Sequence, residues 1–134
     1  MCQKGKYIKF AKFFSGMTDL IVCLTNQKGV FEHVKKVIED AGWENIYIFT
    51  SEEDASNIKF NKKVEIFRLD LSKTITELTS FIKESLDGKL HDLEVAVNII
   101  CGSGKEHTAL ISAILKLGFG IRFVALTKEG VKTI

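Results

Sequence analysis

Proline is missing from this chain altogether, where average usage of about 5% would supply several. Glycine, with ten residues, is left as the main punctuation between regular elements. Cysteine is scarce and odd in number: Cys2, Cys23 and Cys101. No Cys-x-x-Cys pair exists, which removes the zinc-finger and thioredoxin signatures. Cys23 lies inside one apolar run and Cys101 ends another, so both are expected to be buried, reduced thiols of a cytoplasmic protein. No apolar stretch reaches the roughly 18–20 residues that a membrane span needs, so no membrane partner is expected. The first residues lack the apolar core and cleavage site of a secretory signal. A strong charge of one sign is also absent: the net charge is +2 and the pI about 8.4. That excludes an argument for nucleic acid from overall charge.

What remains is the composition of a globular domain, 46% hydrophobic and 27% charged over 134 residues. Such a length suits one domain and buries roughly two-thirds of the unfolded surface without a metal or disulfide. Residues 1–17 form a basic arm in which Lys4, Lys6, Lys9 and Lys12 crowd around Phe10, Phe13 and Phe14. The arm reads as a solvated or loosely packed segment, with a nucleic-acid or membrane-surface role as a weak alternative. Residues 18–134 form the folded domain.

Within that domain Leu20 to Thr25 is a short continuous apolar run, the pattern of a strand buried on both faces. Val30, Phe31, Val34, Val37, Ile38 and Ala41 then recur at helical spacing, with Gly42 placed to end the helix. Ile46 to Phe49 predicts a second strand, introduced by Trp43, and Val64 to Leu71 a third. The polar stretch between them is a loop, with or without a short helix. Ser72 is the expected N-cap of a second helix whose face is Ile75, Leu78, Phe81, Ile82 and Leu86. Leu93 to Ile100 is the most apolar strand, Glu106 to Leu117 a third helix, and Ile121 to Leu126 a fifth strand. Residues 127–134 add a turn and an edge strand. Strands alternating with helices predict an α/β fold: a Rossmann-like three-layer domain with a mostly parallel sheet of five to six strands.

In such sheets ligands bind beyond the carboxyl ends of the strands, near a switch in strand order. The most informative turn there is Gly102-Ser103-Gly104-Lys105, with His107 and Thr108 just beyond. Its glycines permit close backbone approach, and the following helix offers free N–H groups and a positive dipole end. With Lys105 this favours a phosphate or another anion. A tight turn into a helix uses glycine for structural reasons too, and spacing leaves both readings open. The turn is neither a Walker loop, because Ile99 stands at the required first glycine and Glu106 follows Lys105, nor the dinucleotide fingerprint, because the third glycine is missing. Thr25, Asn26 and Gln27, in the turn after the first strand, are candidates to hydrogen-bond a base or ribose. Thr127 and Lys128, which follow the fifth strand, are also candidates. Ser103, Lys105 and His107 could support acid–base or phosphoryl-transfer chemistry, but spacing assigns no nucleophile, base and orienter. His33 and His91 read as surface residues, and Glu52, Glu53 and Asp54 as solvated carboxylates. No metal site and no cofactor is expected.

The segment from Val95 to Leu115, with Asn98 at the strand end and Gly102-Ser103-Gly104-Lys105 in the turn, resembles a signature of CARF domains, the CRISPR-associated Rossmann-fold sensors. Their fourth strand ends in an Asn/Asp-x-Thr-Gly-Gly-Thr-Lys-like motif that leads into an apolar helix. Here one extra residue precedes Gly102, and Gly104 stands in place of a hydroxyl residue. Leu20 to Ala41 is similar to the start of that family. The resemblance implies a homodimer in antiviral defence that binds a cyclic oligoadenylate across its two-fold axis. Gly102, Ser103 and Lys105 would then touch ligand phosphates, and Thr25, Asn26 and Gln27 would line the pocket. The alternatives are a small phosphoesterase or ring nuclease acting on such a ligand, and a non-catalytic protein-interaction module.

Overall fold

The computed structural model describes residues 18–25, 29–51 and 59–134. The basic arm 1–17, Asn26 and Gln27, and the acidic group Glu52, Glu53 and Asp54 lie outside the described residues.

The chain runs β1 (Leu20–Leu24), α1 (Phe31–Asp40), β2 (Ile46–Ser51), β3 (Glu65–Leu69), α2 (Ile75–Leu86), β4 (Glu94–Asn98), α3 (Gly104–Lys116), β5 (Gly120–Thr127) and β6 (Gly130–Thr133). Among the described residues these strands form one sheet in the order β3-β2-β1-β4-β5-β6. Strands β1 to β5 pair in parallel, and β6 pairs antiparallel with β5 at the edge. The expected α/β fold, Rossmann-like in three layers with a mostly parallel sheet, is the fold observed.

The two faces follow from side-chain alternation along the central strand. Leu20, Val22 and Leu24 of β1 meet Val34, Val37 and Ile38 of α1 on one face. Ile21 and Cys23 meet Leu78, Ile82 and Leu86 of α2 and Ala109, Leu110, Ala113 and Ile114 of α3 on the other. Every residue of β1 is therefore buried, as its uninterrupted apolar run predicts for a strand covered on both sides. Full burial of each such aliphatic side chain is worth about 1.5–3 kcal/mol, enough for the apolar runs to decide which strands lie centrally. At the β3 edge burial is partial, and Phe67 stacks on Phe49 with ring centroids 4.9 Å apart.

Several local expectations are corrected. Helix α2 is capped by Thr74, not Ser72: the Thr74 hydroxyl accepts the Glu77 N–H at 3.1 Å, and Glu77 accepts the Thr74 N–H at 3.0 Å. Ser72 instead donates its N–H and hydroxyl to Asp70, at 3.0 and 2.7 Å. The buried face of α2 is Leu78, Thr79, Ile82 and Leu86, while Ile75 and Phe81 are exposed. Helix α1 ends in an extended Ala41, so Gly42 does not close it through a left-handed turn. Leu93 lies outside β4 and is exposed. His33 is not a free surface residue: it is half-buried, and its Nε2 accepts the Leu126 N–H at 3.2 Å, tying α1 to β5.

Candidate functional site

Strand order reverses at the centre of the sheet. From β1 the chain steps to β2 and β3 on one side, and β4 returns to pair with the other side of β1. Helix α1 leaves toward one face and α3 toward the opposite face. Open α/β sheets bind ligands in the crevice that such a switch leaves beyond the carboxyl ends of the strands, here β1 and β4. Among the described residues Thr25 and the turn Cys101–Lys105 lie at that place.

Gly102 is packed closely against side chains of β1 and α3. Its φ of +108° lies in the region that favours glycine, and a Cβ there would stand 2.8 Å from Cys23 Sγ, 2.9 Å from Thr25 Oγ1 and 3.0 Å from His107 Nε2. Both the backbone angle and the packing demand glycine. Gly104 is different. It opens α3 without a positive φ, and a Cβ there would meet nothing within 4 Å. The fold alone does not require glycine at that position.

Glu106 organises the walls, and sequence reasoning did not single it out as a site residue. Its Oε1 accepts the Ser103 N–H at 2.9 Å and the Thr25 hydroxyl at 3.0 Å, and its Oε2 accepts the Ser103 hydroxyl at 2.8 Å. Burial alone would push this carboxyl up. The three donors, from the Ser103 backbone, the Ser103 hydroxyl and Thr25, outweigh it, and the group is held below its ordinary range and ionised. The pattern Ser-x-x-Glu across Ser103 and Glu106 is a legible capping signal; the tie to Thr25 is not.

The remaining groups close the inner side of the crevice. Cys101 Sγ donates to the Thr25 carbonyl at 2.8 Å. His107 Nε2 lies 2.8 Å from the Cys101 carbonyl, which can only accept, so that nitrogen donates. Cys23 and Cys101 are buried thiols outside any disulfide, and burial first of all pushes Cys23 up to about 12. Such a thiol is an inert packing group. Asn98 donates to the Val124 carbonyl at 2.9 Å and so joins β4 to β5.

The outer side is open. Ser103 and Gly104 are exposed, and the N–H groups of Gly104 and Lys105 belong to the helix's first turn, without intrahelical acceptors. The Lys105 ammonium donates to the Leu71 carbonyl at 2.8 Å and lies beside Asp70. Of the expected site residues, the structure thus brings together Thr25, Gly102, Ser103, Gly104, Lys105 and His107. Ser103, Lys105 and His107 do not converge as a reacting set: each turns to a different partner, Glu106, Leu71 and Cys101 respectively. Thr127 ends β5 and Lys128 follows it; the Thr127 hydroxyl donates to the Gly130 carbonyl of β6 at 2.8 Å. Among the described residues no group of three or more His, Cys, Asp or Glu is placed to hold a metal ion. None of the helices described is long and apolar enough to cross a membrane.

Scanned against models of known protein families the chain matches none, and no curated protein is significantly similar to it.

Proposed function

We propose that this chain is a nucleotide-sensing domain of the CARF-like kind. It binds a cyclic oligoadenylate or a related phosphate-bearing ligand in the crevice between β1 and β4, as a homodimer. The observation that carries the reading is the coincidence of the strand-order switch with the turn Gly102–Lys105. A ligand phosphate there meets the N–H groups of Gly104 and Lys105, the Lys105 ammonium and the positive end of the α3 dipole. Gly104, which the fold does not need as glycine, keeps that approach free of a side chain. Glu106 fixes the walls from behind, and its charge is already matched by three donors. Binding is favoured over phosphoester cleavage because Ser103, Lys105 and His107 face three different partners.

The test is thermal melting against cyclic oligoadenylates and mononucleotides. A ligand at 100 times its dissociation constant stabilises a fold by about 2.7 kcal/mol. A shift with a cyclic oligoadenylate that disappears in Lys105→Ala is the expected result. No shift with any of them, together with a monomer in sedimentation, would overturn the reading.

A further inference from the structure

A second concavity lies along the same edge of the sheet, at the end of β3 and the start of α2. It has a volume of about 180 Å³ and is lined by Arg68, Asp70, Lys73, Glu77, Leu78 and Phe81. Whole-ligand pockets run to roughly 300–1,000 Å³, so this one takes a single moiety of a larger molecule. Its wall carries an aromatic ring out of the core: Phe81 is 40% exposed, above a buried Leu78. Arg68 and Lys73 have no ion-pair partner among the described residues, where the ion pairs are Lys89–Glu65 and Arg122–Glu94. The acids in the cavity are held as acceptors. Asp70 is drawn below its ordinary range by the Ser72 hydroxyl and N–H, and Glu77 by the Thr74 N–H and hydroxyl.

Lys105 connects this cavity to the central crevice. Its ammonium rests on the carbonyl of Leu71, the residue after Asp70, and lies close enough to Asp70 to lower it. One cation of the proposed phosphate site is therefore bonded to the turn whose Asp70 and Lys73 line the second concavity. We infer that the cavity is the nucleoside subsite of the ligand whose phosphate sits at Lys105, an inference that rests on the nucleotide-binding reading above. Phe81 offers a flat apolar seat for a base, backed by the buried Leu78. Arg68 offers a planar guanidinium to stack on it or donate to its ring acceptors. Asp70 and Glu77, ionised, accept from ribose hydroxyls. The ligand class is a nucleotide held at both ends, and inorganic phosphate alone fills only the Lys105 end.

Isothermal titration of the full chain with inorganic phosphate, AMP and a cyclic oligoadenylate tests this. In the wild-type chain at least one adenylate should bind more tightly than phosphate. Phe81→Ala and Arg68→Ala, both changes at exposed positions, should each weaken that adenylate by about tenfold and leave phosphate unchanged. Lys105→Ala should weaken both ligand types. Unchanged adenylate affinity in both cavity variants would overturn the subsite while the reading of the central crevice stands. Binding of phosphate alone would also overturn it. Binding of none of the three would overturn the subsite and the nucleotide-binding reading together.

Discussion

Thr25 and Glu106 stand 81 residues apart in the chain, and the Thr25 hydroxyl donates to the Glu106 carboxylate at 3.0 Å. This bond joins the end of β1 to the first turn of α3 across the switch in strand order. Glu106→Ala would leave the Thr25 hydroxyl and both Ser103 donors without their acceptor. Loss of a charged, buried acceptor of this kind costs roughly 2–3 kcal/mol. Urea denaturation at neutral pH should report a loss of that size. Because the folded carboxyl is held below its ordinary value of 4.5, its contribution is complete above that pH and is lost as pH falls through the folded value. The wild-type and Glu106→Ala melting temperatures should therefore converge in acid.

The two glycines of the turn should respond in opposite senses. Gly102→Ala places a Cβ against Cys23, Thr25 and His107 at a φ of +108°, and strain with overpacking should cost about 2–4 kcal/mol. Gly104→Ala meets open space at the start of a helix and should stabilise by up to about 1 kcal/mol. The same substitution should weaken phosphate binding, since the methyl enters the open side of the crevice. Equal destabilisation by both would show that the turn's glycines serve only its backbone.

Asp19 offers the opposite pH dependence. It is buried at the amino end of the sheet, and burial first, with repulsion from Glu44, raises its carboxyl above 3.8 despite the Asn45 hydrogen bond of 2.9 Å. A raised folded value means that the stability tied to this group is present in acid and lost as pH rises through it. Asp19→Asn keeps the acceptor for Asn45 and removes the charge. It should raise the melting temperature at pH 7 and change little near pH 3. A lower melting temperature at pH 7 would contradict this account.

Thr74→Ala removes the cap of α2 and should cost about 1 kcal/mol. Ser72→Ala, which breaks only exposed bonds to Asp70, should stay within roughly 0.5 kcal/mol. Chemical denaturation of the pair separates the two hydroxyl residues directly.

The layers of the fold were readable because β1 is an unbroken apolar run and the helices after it repeat at three and four residues. Periodicity failed where a polar residue took an inward position. Thr79 faces the core with its hydroxyl bonded to the Ile75 carbonyl at 2.8 Å; Phe81 falls beside the buried stripe of Leu78, Thr79, Ile82 and Leu86, and Ile75, on that stripe but first in the helix, is exposed. Ser72 and Thr74 are both N-cap residue types; Glu77, three residues after Thr74, completes a capping box there, while the Asp70 side chain takes Ser72. At the site the glycine turn was visible as a local pattern. From the sequence Glu106 only opens the third helix and disqualifies a Walker loop; its role depends on Thr25, brought beside it by the pairing of β1 with β4. His33 was misplaced for a similar reason: its partner, the Leu126 N–H, is 93 residues away.

The Cys101 thiol and the Thr25 carbonyl it bonds are separated by 76 residues. A nascent chain leaving the ribosome can pair β1 with β2 across the α1 crossover and β2 with β3 across residues 52–64, but β1 and the turn after β4 come together only once β4 has emerged and closed that longer loop. Truncated products of this chain can therefore carry much of the sheet, and the concavity of residues 68–81, and still lack the turn Gly102–Lys105 proposed to hold a phosphate. Ligand-dependent stabilisation would mark only chains completed past α3.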